Sequence, residues 1–173
     1  VFLARNILGN VLKPPTNAIA PLSTDSHPDL TTRERVALQT KASVCQTCHA
    51  MINPLGFSLE EYDALGRLRA TENRDGRNMP INAEGYYQPR TGKEANFYGG
   101  REIGYFLALN RDATETFVQS LFHALVKQPL KAWGSDVLEQ LTDRFVSKNY
   151  SIRKLIVEIA LVMTKPTKSS SKN

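Results

Sequence analysis

The chain has 173 residues, 41% of them hydrophobic, with 22 Lys and Arg against 17 Asp and Glu for a formal net charge of +5. That length and apolar share allow a packed core without disulfide staples, in one domain or one domain with an appended helical subdomain. The charge is spread out, and its one cluster, the terminal KPTKSSSKN, reads as a soluble end and not as a nucleic-acid arm. The basic balance suits an acidic partner.

The chain starts without Met and without a leader pattern, already inside an amphipathic helix, so it reads as a piece of something larger. This opening helix, VFLARNILGNVL (1–12), carries Phe2, Leu3, Ile7, Leu8, Val11 and Leu12 at helical spacing, and Pro14 and Pro15 stop it. KPPTNAIAPLSTDSHPDL (13–30) is an extended connector. TTRERVALQTKASV begins a helix capped by Thr31 or Thr32, with Glu34 placed to close a capping box with Thr31. It runs toward Cys45. Pro54 and Gly56 then predict a turn. Ser58 caps a short helix bearing Leu59, Tyr62 and Leu65, which Gly66 ends.

Residues 70–99 hold most of the turn residues, and INAEGYYQ within them forms one or two short strands. The last third is helical. GREIGYFLALN (100–110) is followed by 112–128, with Phe117, Leu121 and Leu125 as its stripe and Pro129 as its stop. Two more helices follow, 135–148 capped by Ser135 and 151–163 capped by Ser151. The most apolar run, LIVEIALVM (155–163), is too short to span a bilayer and carries Glu158. There is no internal repeat, and no strand–helix alternation of the kind a Rossmann or thioredoxin-like sheet needs.

CQTCH (45–49) contains both cysteines of the chain. Two thiols on one helical turn reach the two vinyl groups of a haem, and the adjacent imidazole reaches the iron. Cys45 and Cys48 are then the thioether anchors and His49 the proximal ligand. Other uses of the motif fit less well. A structural zinc site needs four ligands, and beyond these three the chain adds only His27 and His123, with no second CxxC. A thioredoxin-like pair opens a helix after a buried strand, whereas here a polar helix precedes it.

The residues around the motif, CQTCHAMINPLGFSLEEYDALGRLR, resemble the haem-bearing stretch of planctomycete-type cytochrome-like proteins. These are large exported proteins whose biochemistry is largely unassigned. NILGNVLKPPTNAIAPL, TTRERVALQTKASVC, MPINAEGYYQ, FVQSLFHALVKQPLKAWG and NYSIRKLIVEIA extend the likeness over nearly the whole chain. The resemblance implies one covalent haem c, export and a multidomain parent. It supplies no reaction.

The fold expected is mainly α, a cytochrome c-like haem domain with a loop and short-strand insertion and an appended C-terminal helical bundle. Its parts are a lead-in helix and connector (1–30), a haem c-binding region (31–99), a C-terminal helical region (100–164) and a flexible basic tail (165–173). Asn53, Pro54, Leu55 and Phe57 are expected along one haem edge, or as plain core. Arg67 and Arg69 are candidates for the propionates, or a solvated helix end. His123 on a late helix and Met79 in a loop are the candidates for the distal ligand. Met51 lies too close to His49 for that role, Met163 belongs to an apolar stripe, and His27 sits in the connector. A mono-haem electron carrier, working with a redox partner protein or with other domains of the same parent chain, is the expected function. The alternatives are a haem enzyme or ligand sensor with an open axial site, and an interaction domain in which haem is a staple. No catalytic triad, phosphate loop or HExxH is present. Haem c is attached outside the cytoplasm, so the motif implies a periplasmic or cell-surface location.

Overall fold

Thr31 accepts a hydrogen bond from the Glu34 N–H, and the Glu34 side chain returns to the Thr31 N–H, so the expected capping box is formed. It opens α1 (Thr32–Gln39) in the computed structural model, which describes residues 1–13 and 27–164. Most of the expected connector, including Pro14 and Pro15, and the expected tail lie outside the described residues. Among the described residues the molecule is mainly helical, with two small sheets. It divides into two compact units, Val1–Asn110 and Arg111–Asn173.

The first unit opens on a single π-type helical stretch, Leu3–Ile7, shorter than the helix expected over 1–12. Leu8 donates to the Leu3 carbonyl at 2.9 Å, Ala4 and Leu8 are fully buried, and Phe2 and Val11 are exposed. After α1 the chain breaks at Thr40 and resumes as α2 (Ser43–Phe57). The turn expected at Pro54 and Gly56 is instead the last turn of α2. Pro54 has no N–H to donate to the Ala50 carbonyl, and the helix ends three residues on, where Ser58 donates its N–H to the Pro54 carbonyl and its hydroxyl to the Leu55 carbonyl.

The short helix expected from Ser58 to Gly66 is not formed. Asp63 competes for the backbone: its Oδ1 accepts from the N–H groups of Leu65 and Arg67, which makes a turn, and Tyr62 bridges to Leu68. Two hairpins follow. β1 (Thr71–Arg74) and β2 (Arg77–Pro80) are antiparallel and joined by Asp75–Gly76, both at positive φ (47° and 75°). This is the Asp-Gly turn that matches strand twist. β3 (Glu84–Tyr87) pairs with β4 (Ala95–Tyr98), the second of which falls where only turns were expected. β3 packs on α2. There Gly85 is obligatory, since a Cβ would stand 2.4 Å from the Pro54 carbonyl oxygen and 2.6 Å from the Phe97 ring. α3 (Gly99–Leu109) follows as expected and packs on β4.

The second unit consists of α4 (Arg111–Val126), a 3-10 turn (Leu130–Trp133), α5 (Val137–Ser147) and α6 (Ile152–Met163). Its core is Val118, Phe122, Leu130, Leu141, Phe145, Leu155, Ile159 and Val162. The stripe expected on α4 is thus displaced by one residue. Val118 and Phe122 fill the core, while Phe117 and Leu125 are partly exposed and Phe117 stacks on Phe145 at 5.5 Å. Asp136 is the residue at the start of α5, and Ser135 does not cap it. Ser151 does cap α6, accepting from the Lys154 N–H. Met163 is about half exposed and not a core residue, because Leu155, Glu158, Ile159 and Val162 form the buried face. Glu158 is held there by ion pairs with Arg144 and Lys148.

Candidate functional site

α2 carries the motif. At 3.6 residues per turn, Cys45, Cys48, His49 and Ile52 fall within an arc of about 100°. All four are half-buried, and both thiols are free. The imidazole has a side-chain partner one turn on: His49 Nδ1 is 2.8 Å from Asn53 Oδ1. Asn53 in turn donates from Nδ2 to Thr40 Oγ1 at 2.9 Å. Thr40 is buried at the end of α1, and the Gln46 side-chain amide donates to its carbonyl. The junction of α1 and α2 is therefore pinned on both sides of Thr40.

At the other end of α1, charge is concentrated. Glu72 on β1 accepts from the Thr32 N–H and hydroxyl and pairs with Arg74, which also donates to Thr32 Oγ1. Arg33 donates to the carbonyls of Asn82 and Glu84, and its guanidinium lies 4.4 Å from the centre of the Phe57 ring. Arg69 pairs with Glu60 at 3.5 Å. Burial, and then the nearby charge of Glu72, push the Glu60 carboxyl above its ordinary range against the pull of Arg69. Arg69 Nε and Arg74 Nε are buried without a hydrogen-bond partner among the described residues.

The other residues singled out from sequence are placed as follows. Pro54, Leu55 and Phe57 are buried in the protein's own packing at the end of α2. Arg67 is the more exposed of the two arginines, with 74% of its side chain open, and is tied to Asp63 at 2.7 Å. Backbone and side-chain hydrogen bonds from Arg67 hold the Asp63 carboxyl below its usual range. Met79 is on β2, opposite Glu72, and not in a loop. It and Met51 are partly exposed. His123 is in the second unit, where its Nε2 accepts from the Leu130 N–H at 3.4 Å. His27 is half-buried at the edge of the described region. Thr40 was not singled out from sequence, because nothing in one chain signals a partner 13 residues away. The link from Asn53 to His49 was within reach, since a histidine and an amide four apart on a helix share a face.

Among the described residues there is no group of three or more His, Cys, Asp or Glu side chains assembled to hold a metal ion. No helix among them is long and apolar enough to cross a membrane.

A model of PSCyt3, a cytochrome-related family described as proteins of unknown function (DUF1588), matches residues 1–72. The matched stretch contains α1, α2, both cysteines, His49 and Asn53, and ends within β1. The likeness expected over nearly the whole chain is thus found over this first part. No curated protein and no solved structure matches the chain.

Proposed function

We propose that the chain carries one covalent haem c on α2 and serves as an electron-transfer domain. One observation carries the reading: Cys45, Cys48 and His49 share one face of a single helix, with His49 Nδ1 taken by Asn53. The donor set suits the group. Cys45 and Cys48 would anchor the haem and His49 Nε2 would hold its iron, and since a porphyrin brings nitrogens of its own, attachment would not need a convergent cluster of protein ligands. Arg69, with a buried Nε–H that has no acceptor among the described residues, supplies the kind of donor a propionate takes. When bound, the haem would supply a one-electron couple. The protein's part is to anchor it through the two thiols, to orient the imidazole and to set the surrounding polarity. The match to a cytochrome-related family over residues 1–72 supports the same reading. Haem c attachment implies a periplasmic or cell-surface location, and the partner is a redox protein or another domain of the same parent chain.

The test is an optical spectrum of the full chain matured in a host that attaches haem c, ferric and ferrous, with and without carbon monoxide. Haem that stays on the polypeptide through denaturation, and is lost in Cys45→Ala with Cys48→Ala, is the expected result. A low-spin spectrum indifferent to carbon monoxide marks an electron carrier, and a sulfur-to-iron band would then assign Met79 over His123. A high-spin spectrum shifted by carbon monoxide would replace the carrier with an enzyme or sensor. Absence of haem absorption overturns the reading.

A further inference from the structure

The hydrogen bond between His49 and Asn53 has a direction, and that direction is set from its far end. Thr40 Oγ1 lies 2.8 Å from the Val36 carbonyl oxygen. A carbonyl only accepts, so the one hydroxyl proton of Thr40 is used there. Toward Asn53, 2.9 Å away, Thr40 Oγ1 is then an acceptor. The amide NH2 of Asn53 must face Thr40, which turns Oδ1 onto His49 Nδ1 at 2.8 Å. Oδ1 carries no proton, so the imidazole donates from Nδ1–H and keeps its lone pair on Nε2.

We propose that Asn53 and Thr40 are positioning residues that hold His49 in the tautomer with a bare Nε2, through a relay whose polarity the Val36 carbonyl fixes. The purpose of that tautomer rests on the haem reading, because Nε2 is then the nitrogen free to bind iron. The tautomer itself is a property of the chain alone. Reversing the relay would flip the Asn53 amide and pull the Thr40 proton off the Val36 carbonyl. Thr40 is only 6% exposed, so water does not readily replace the lost bond. The preference expected is roughly fivefold, equivalent to about 1 kcal/mol for one neutral hydrogen bond.

The experiment reads the imidazole nitrogens of the full chain, made without haem attachment and labelled with 15N-histidine, at a pH where the rings are neutral. The His49 signals are assigned by their loss in His49→Gln. In the parent chain Nδ1–H is expected to dominate. Asn53→Leu is expected to lose that dominance, and Asn53→Asp, which keeps an acceptor, to retain it. Thr40→Val does not touch the ring, yet it is expected to lower the Nδ1–H to Nε2–H ratio roughly fivefold, while Thr40→Ser leaves it in place. A ratio that Asn53→Leu does not move overturns the proposal. A ratio that moves with Asn53→Leu but not with Thr40→Val overturns the relay from Val36. If Thr40→Val does not fold, Thr40→Ala, which also removes the hydroxyl, is read in its place with the same expected fall, and the contrast between Asn53→Leu and Asn53→Asp decides the role of Asn53. The optical spectrum tests haem separately, so either result is readable without the other.

Discussion

Among the described residues, and leaving proline aside, the two units bury the same number of apolar side chains, eight each, although the first is much the longer. In the second unit these eight form one cluster, fed by three helices and the 3-10 turn. The second unit also buries Asp112, Thr142 and Glu158, and the first buries Arg35, Thr40, Ser58, Glu72 and Asn110. The first unit's elements are tied by directed bonds such as Glu72 to Thr32 and Asn53 to Thr40. The lesson is one of division of labour. A unit gathered on one apolar cluster leaves no imidazole to orient at its core, whereas one tied by directed polar bonds can fix the orientation of a particular imidazole.

The largest expected break in this contrast is Phe122→Ala. Phe122 is fully buried against Trp133, with ring centres 5.3 Å apart. Its truncation is expected to cost about 3–5 kcal/mol, read as a fall in the guanidinium unfolding midpoint, with the loss of hydrogen-exchange protection concentrated in α4–α6. Next is Gly85→Ala. Its Cβ would run into the Pro54 carbonyl, so α2 and β3 must part, at about 1–3 kcal/mol. Loss of protection confined to α4–α6 would show that β3 does not hold α2.

Acid sharpens the comparison with opposite signs. Hydrogen bonds from Lys148 and Arg144 hold the Glu158 carboxyl below its ordinary range. Its contribution is therefore present above the unfolded pKa and lost as pH falls through the folded one. Glu60 is raised, chiefly by burial. The folded first unit takes up that proton more readily than the unfolded chain, so stability is lost as pH rises from the ordinary glutamate range through the raised value. Glu158→Gln is expected to cost about 1 kcal/mol at neutral pH, since both of its cations are partly solvent-screened, and to flatten the acid limb of the second unit. Glu60→Gln is expected to raise neutral-pH stability slightly. Denaturation midpoints across pH check both, and a destabilised Glu60→Gln would mean that the Arg69 pair outweighs the burial. The smallest effect is Trp133→Phe, within about 0.5 kcal/mol, because the lost area is offset by removal of a buried Nε1–H that has no partner among the described residues.

Much of this was legible in the sequence where the signal is local. The Thr31 and Glu34 box, α3, α4 and the Ser151 cap follow from side chains within a few residues of the backbone they bind. The Asp75–Gly76 hairpin was equally local, but its turn residues were read as loop. What escaped depends on contacts distant in sequence. Pro54 stays helical in a turn that packs against Gly85, and the α4 stripe rotates by one position because Phe122 finds Trp133. The motif residues Cys45, Cys48 and His49 were evident from spacing. The partner that orients His49 was named only as an edge residue, and Thr40 not at all, since a relay of acceptors and donors leaves no periodic trace.

Trp133 is the one tryptophan of the chain and lies in the second unit, while both cysteines lie in the first. Indole fluorescence therefore reports on one unit and alkylation of the unhaemed thiols on the other. The opening of each can be timed in a single unlabelled sample, without cutting the chain.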